Sequence, residues 1–170
     1  GINYGTDANS VLSPAGTTFG TVTTASNVEV TGAISAQTAT SINTLLINGA
    51  NNITQAGSST LTVNGILKTG GNASSISGGT LANAGNLTIR ADQTGDTLTE
   101  DDVISSNALT IAGLGTVVYT PNTYANTVDI NPNATLQLTG SGNLTGSVVD
   151  NGTLSLNYAG TGATLATILT

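Results

Sequence analysis

The chain has 170 residues, of which 32 are Thr, 15 Ser, 19 Asn and 22 Gly; it carries a net charge of −7 and only two cations, Lys68 and Arg90. Cys, His, Met and Trp are all absent, which excludes thiol or Ser-His catalysis, Cys or His metal ligation and any disulfide framework. Two cations on an acidic chain cannot neutralise a phosphate backbone, so nucleic acid is excluded as a partner.

Residues 1–26 open the chain with an uncharged, β-prone run, Gly1-Ile2-Asn3-Tyr4-Gly5, and are expected to act as an N-terminal cap or assembly segment. From there one pattern recurs: an apolar residue, any residue, a second apolar residue, then Gly or Ala. It first reads Asn27-Val28-Glu29-Val30-Thr31-Gly32, and it returns at residues 44–49, 60–65, 86–91, 108–113, 135–140 and 153–156. Period-two alternation marks each as a short strand with one buried face.

The first apolar positions, 28, 45, 61, 87, 109, 136 and 154, span 126 residues in six steps, about 21 per step. That is the period of a short solenoid repeat, whereas a meandering β-sandwich places turn signals every ~8 to 12 residues. Secondary apolar runs at Ile34, Ile66-Leu67, Leu81, Val117-Val118 and Val148-Val149 fit further strands within each coil.

The hydrophobic fraction of 38 %, drawn from small aliphatics, argues against disorder. The scarcity of aromatics (Phe19 and four tyrosines) argues against the core of a sandwich. The expected fold is therefore all-β: one single-stranded parallel β-helix over residues 1–170, of about eight coils and roughly 38 Å in length at strand spacing. A β-sandwich is the alternative. Asn-Gly and Gly-Gly pairs at 48–49, 64–65, 70–71, 78–79 and 151–152 supply corner residues.

Two stretches, residues 79–89 and 146–156, share the spacing Gly-x-apolar-x-x-x-Gly-x-Leu-x-apolar. This style of repeat resembles the coils of bacterial autotransporter passenger domains and filamentous-haemagglutinin-like surface proteins. The resemblance covers most of residues 27–158. It implies a right-handed parallel β-helix exported to the bacterial cell surface, although the translocator barrel of an autotransporter is missing. The absence of Met predicts that Gly1 is not the start of the translation product, so any signal peptide has been removed. No apolar run is long enough to cross a membrane as a helix.

The sharpest local feature is acidic: Asp92, Asp96, Glu100, Asp101 and Asp102 put five of nine carboxylates within eleven residues. Crowded carboxylates offer the oxygen ligands that calcium takes, so these five are the candidate calcium ligands. Their spacing matches neither the EF-hand loop nor the Gly-rich nonapeptide repeat, and a solvated loop or polar insertion interrupting the coil is the competing expectation. Paired carboxylates also serve glycoside hydrolysis; adjacent Asp101 and Asp102, however, face opposite sides of a strand. No enzyme activity is expected.

Thr-x-Thr pairs at 21/23, 38/40, 60/62 and 97/99 could order water as the pairs of ice-binding β-helices do, although their spacing is irregular. The six Asn-x-Ser/Thr sequons are no more than composition predicts.

The expected function is that of a non-enzymatic extracellular rod or adhesin whose partner is a cell-surface or host ligand. The alternative is a subunit that assembles with itself, end to end, through uncharged termini at residues 1–5 and 165–169. A secreted carbohydrate-active or ice-binding β-helix is a more distant expectation.

Overall fold

The computed structural model describes residues 1–120 and 123–158, together with the backbone of 168–169. Its strands are β1 Ser10–Ser13, β2 Asn27–Val30, β3 Ile34–Gln37, β4 Thr40–Ser41, β5 Thr44–Asn48, β6 Ile53–Gln55, β7 Thr60–Thr62, β8 Gly65–Thr69 and β9 Ala73–Ala91. They continue with β10 Thr97–Gly113, β11 Thr116–Tyr119, β12 Thr123–Tyr124, β13 Thr127–Ile130, β14 Thr135–Thr139, β15 Asn143–Leu144, β16 Ser147–Asp150, β17 Thr153–Asn157 and β18 Ile168–Leu169. Among the described residues there is no helix, and hence none long and apolar enough to cross a membrane.

Every strand pairing is parallel, which a sandwich of hairpins would not produce. The chain winds as a single-stranded β-solenoid of about seven turns, about 34 Å long at ~4.8 Å per turn. A first face stacks β1, β2, β5, β8, the last part of β9, the last part of β10, β13, β16 and β18. A second face stacks β3, β6, the first parts of β9 and β10, then β11, β14 and β17. A third face is made by β4, β7 and the middle parts of β9 and β10, with the β12–β15 pair further along. Strands β9 and β10 run through all three faces, with register shifts at 101/103 and 106/108.

Alternation explains the core. The inward row Val28–Leu45–Ile66–Ile89–Ile111–Ile130 climbs the first face one residue per turn, and every member is buried. Like residues stacked at strand spacing fill a narrow interior without large side chains. Phe19, 2 % exposed, closes the N-terminal end of this core, and its N–H donates to Gln37 Oε1 at 2.8 Å.

Two expectations are refined. Ser10, Asn27, Thr44, Gly65, Thr88, Thr110, Asp129 and Val149 stack in successive turns, so the true period is about 20 residues with variable steps. The recurring strand motif also does not mark one place in the coil. Val28, Leu45, Leu87 and Leu109 lie on the first face, but Leu61 lies on the third and Leu136 and Leu154 on the second. Likewise residues 79–89 pass from the third face to the first, and 146–156 from the first to the second. Their shared spacing measures one corner-to-corner step.

The N-terminal run Gly1 to Gly5 forms no strand; Tyr4 lies on the first face, its Oη 2.9 Å from Thr44 Oγ1. At the other end Ile168 and Leu169 pair with Ser147 and Val148, and residues 165–167 lie outside the described residues.

Candidate functional site

The acidic segment follows from the strand period. Residues 92–96 make the corner between β9 and β10, and from Thr97 the chain is extended, so Glu100 and Asp102 point inward while Asp101 points out. The expected solvated loop is thus confined to the corner, and three of the five carboxylates are buried.

Asp92 remains at the surface, paired with Arg90 at 2.7 Å, both side chains being well exposed. Such a pair contributes little stability. Asp96 turns fully inside. Its Oδ1 accepts from Lys68 Nζ at 3.3 Å and from the Gly71 N–H at 2.8 Å, and its Oδ2 accepts from the Gln93 N–H at 2.8 Å. Lys68 also donates to the Thr69 carbonyl at 2.6 Å and is completely buried. It occupies an inward row, Val30–Ile47–Lys68–Ala91, where every other member is aliphatic. One of the chain's two cations is therefore internal.

Glu100 sits in the inward row of the second face, Ile34–Ile53–Ile76–Glu100–Tyr119–Leu138. It is fully buried, and neither carboxyl oxygen has a hydrogen-bond partner. Burial, then the nearby Asp102 and Asp101, raises its pKa well above the carboxylate range, favouring the neutral acid. Above it, Tyr119 is buried with no well-formed hydrogen bond to its hydroxyl. Burial pushes that phenol up to about 12, against the opposing pull of the Ile104 main chain.

Asp102 is shared between turns. Its Oδ1 accepts from the Gly79 N–H at 2.7 Å and its Oδ2 from Gln55 Nε2. Burial raises its pKa, and these two hydrogen bonds hold the rise in check. Gln55 can reach it because Gly78 and Gly79 occupy the intervening turn. A Cβ on Gly79 would stand 2.3 Å from the Ser59 carbonyl oxygen and 2.9 Å from Gln55 Cδ. Asp101 accepts from Thr120 Oγ1 on the outer surface.

The five candidate calcium ligands are thus dispersed: Asp92 on Arg90, Asp96 on Lys68, Glu100 in the core, Asp102 on Gln55 and Asp101 outside. Among the described residues no three acidic side chains come together to hold a metal. Of the adjacent pair weighed for glycoside hydrolysis, Asp101 faces out and Asp102, 1 % exposed, faces the core, so the two carboxylates do not share one surface.

A second constellation escaped the sequence reading. At the corner leading into the first face, Asn83 donates to Asn64, Asn64 to Asn43, Asn43 to Asn27 and Asn27 to Asp7, with N···O distances of 3.3, 3.1, 2.9 and 3.4 Å. This amide ladder joins five turns and ends on a carboxylate. The signal available was an Asn at or just before each first-face strand, at 27, 43 and 64. Where the ladder stops, a neutral cavity of about 410 Å³ opens beside Asn83, Asn107, Thr123 and Asn126.

Comparison with protein-family models, with curated proteins and with solved structures returned no match.

Proposed function

We propose that the chain is a non-enzymatic rod displayed outside the bacterial cell, structural or adhesive in role and passenger-like in its mode of export. The observation that carries this reading is the partition of chemistry between inside and outside. Lys68, Asp96, Glu100 and Asp102 are spent in the interior, while outward positions are dominated by Thr, Ser and Asn. Such a surface offers only Arg90 as a cleavable cation to a trypsin-like protease and no thiol or thioether to an oxidant. Antibody labelling of intact producing cells tests the reading: label on unpermeabilised cells is expected, and label that appears only after permeabilisation overturns it.

One observation favours a second reading, head-to-tail assembly with another copy. In the inward row of the second face Leu138 is fully buried, yet Leu156, stacked next to it, is 50 % exposed. Any further turn stacked on β17, whether from continuing chain or from a second copy, would cover that layer and extend the parallel ladder. Negative-stain microscopy over a concentration series should then show filaments, lost in Leu156→Asp. Single short rods at every concentration would leave the rod reading alone standing.

A further inference from the structure

The second face carries a regular outward array. Thr97, Thr116, Thr135 and Thr153 occupy one row in direct register through four turns, and Thr99, Val118, Gln137 and Ser155 run beside them. The Thr-x-Thr pairs expected from the sequence do not make this array by themselves: Thr60 and Thr62 lie on the third face, and only Thr97 and Thr99 belong to it. Register supplies the regularity that sequence spacing conceals.

These hydroxyls are also unengaged. The Oγ1 atoms of Thr97, Thr99, Thr116, Thr135 and Thr153 make no hydrogen bond to another side chain or to the main chain; these residues are tied to neighbouring turns through their backbone, as in Thr97 N–H to the Asn72 carbonyl and Thr116 N–H to the Asp96 carbonyl. Threonines on the first face behave differently: Thr44 donates to Asn27 at 3.0 Å, Thr110 to Asn86 at 3.2 Å, and Thr127 pairs with Ser147 at 3.3 Å. Three first-face hydroxyls are thus bonded to neighbouring side chains, whereas the five on the second face, half-buried or exposed, are bonded to none.

We propose that the second face binds ice, its threonine row matching ordered surface water. Hydroxyls repeat at ~4.8 Å from turn to turn along the Thr97–Thr116–Thr135–Thr153 row, and at its two ends Thr99 and Ser155 add a second hydroxyl about 6.6 Å along the strand. The turn-to-turn interval falls near the short oxygen repeat of a prism face of ice, and the methyl beside each hydroxyl leaves neighbouring water free to adopt that lattice. Charge and aromaticity select this partner over others. Among the described residues the outward side of this face has one charge, Asp101, placed at its margin and bonded to Thr120. It has no aromatic ring on which a neutral sugar would stack: Tyr119 and Tyr124 are buried, Tyr4 lies on the first face, and Tyr158 is bonded to the Gly142 carbonyl. This inference does not depend on where the rod is displayed.

The test uses the full chain and two readouts, the gap between freezing and melting points and the growth of ice grains during annealing. The unaltered chain should open a gap and keep grains small. Thr116→Tyr and Thr135→Tyr, which raise a ring from the middle of the row, should lose both effects. Ser105→Tyr, on an exposed position of the third face, should retain them. Far-ultraviolet circular dichroism and the urea midpoint establish that each variant is folded, and Thr116→Ser, which removes only a methyl, provides a milder second probe expected to show partial loss. A folded chain with no gap and unchecked grain growth overturns the proposal. So does full activity in Thr116→Tyr and Thr135→Tyr, or retention on crystalline cellulose or chitin without any effect on ice.

Discussion

A fully buried carboxyl without a hydrogen bond sets the pH behaviour of Glu100. Unfolded, the group releases its proton near the ordinary value of 4.5; folded, burial and the neighbouring Asp102 and Asp101 hold the proton to higher pH. Above the unfolded value the folded state therefore binds more protons than the unfolded state, so stability falls as pH rises through the window between the two. Below that window both states are protonated and the contribution is fully present. Asp102 is shifted in the same direction and adds to the same slope. A single group of this kind changes stability by up to about 1.4 kcal/mol per pH unit. Urea midpoints measured from about pH 4 to about pH 7 should decline toward neutrality, and Glu100→Gln, which is neutral throughout, should flatten most of the decline. A midpoint that rises with pH in the unaltered chain would contradict this. Lys68 poses the complementary problem and solves it by pairing: breaking a buried pair by removing one partner generally costs about 3 to 5 kcal/mol.

At the scale of strands and corners, the glycines at 78 and 79 matter because of what they leave out. Gln55 and Asp102 belong to different turns, and they meet only across a turn that has no side chain at that corner. Gly79→Ala places a carbon against the Ser59 carbonyl and the Gln55 amide, and it disturbs the N–H that Asp102 Oδ1 accepts. Overpacking together with a buried acid left short of a donor should cost about 3 kcal/mol. A Gly85→Ala control, whose Cβ would have only the Asn83 Oδ1 at 3.5 Å as a close neighbour, should cost much less. Thermal unfolding of the two variants separates them.

The same corners explain how much was legible beforehand. Alternation in runs such as 27–30, 86–91 and 108–113 declared short strands, and the mean spacing declared a solenoid. Which face a strand joins is not legible, because Leu-x-apolar reads alike on all three, and corner loops of unequal length erase the phase: Leu61 and Leu136 stand in the same local pattern as Val28 although they stack elsewhere. The acidic segment misled for a related reason. Carboxylates are ordinarily solvated, and nothing local to residues 96–102 shows that Lys68, Gln55 and Gly79 wait one or two turns below. The Asn ladder was equally hidden, since each member is a common turn residue and only stacking joins them.

For the whole molecule, contacts run almost entirely between adjacent turns, so stability is close to a sum of turn-to-turn interfaces. These interfaces are unequal. Strands β9 and β10 pair through 15 register positions across three faces, whereas β17 pairs with β14 through five and β1 with β2 through four. The buried groups that tie turns together also lie around these strands: Gly79 and Asp102 are on β9 and β10, and Asp96, which pairs with Lys68 of β8, is in the corner that joins them. Opening should therefore begin at the ends and reach residues 73–113 last. Native-state hydrogen exchange ought to give the slowest amides in β9 and β10, with graded loss of protection through β11 and β14 to β17 on one side and through β8 and β5 to β1 on the other. Asp96→Ala should lower protection most in the turns that contain Lys68 and Gln93, and change β1 and β17 far less, because end turns already open without breaking that pair. Uniform protection from β1 to β17, collapsing together in the variant, would mean that the solenoid unfolds as one cooperative unit, and the turn-by-turn account would fail.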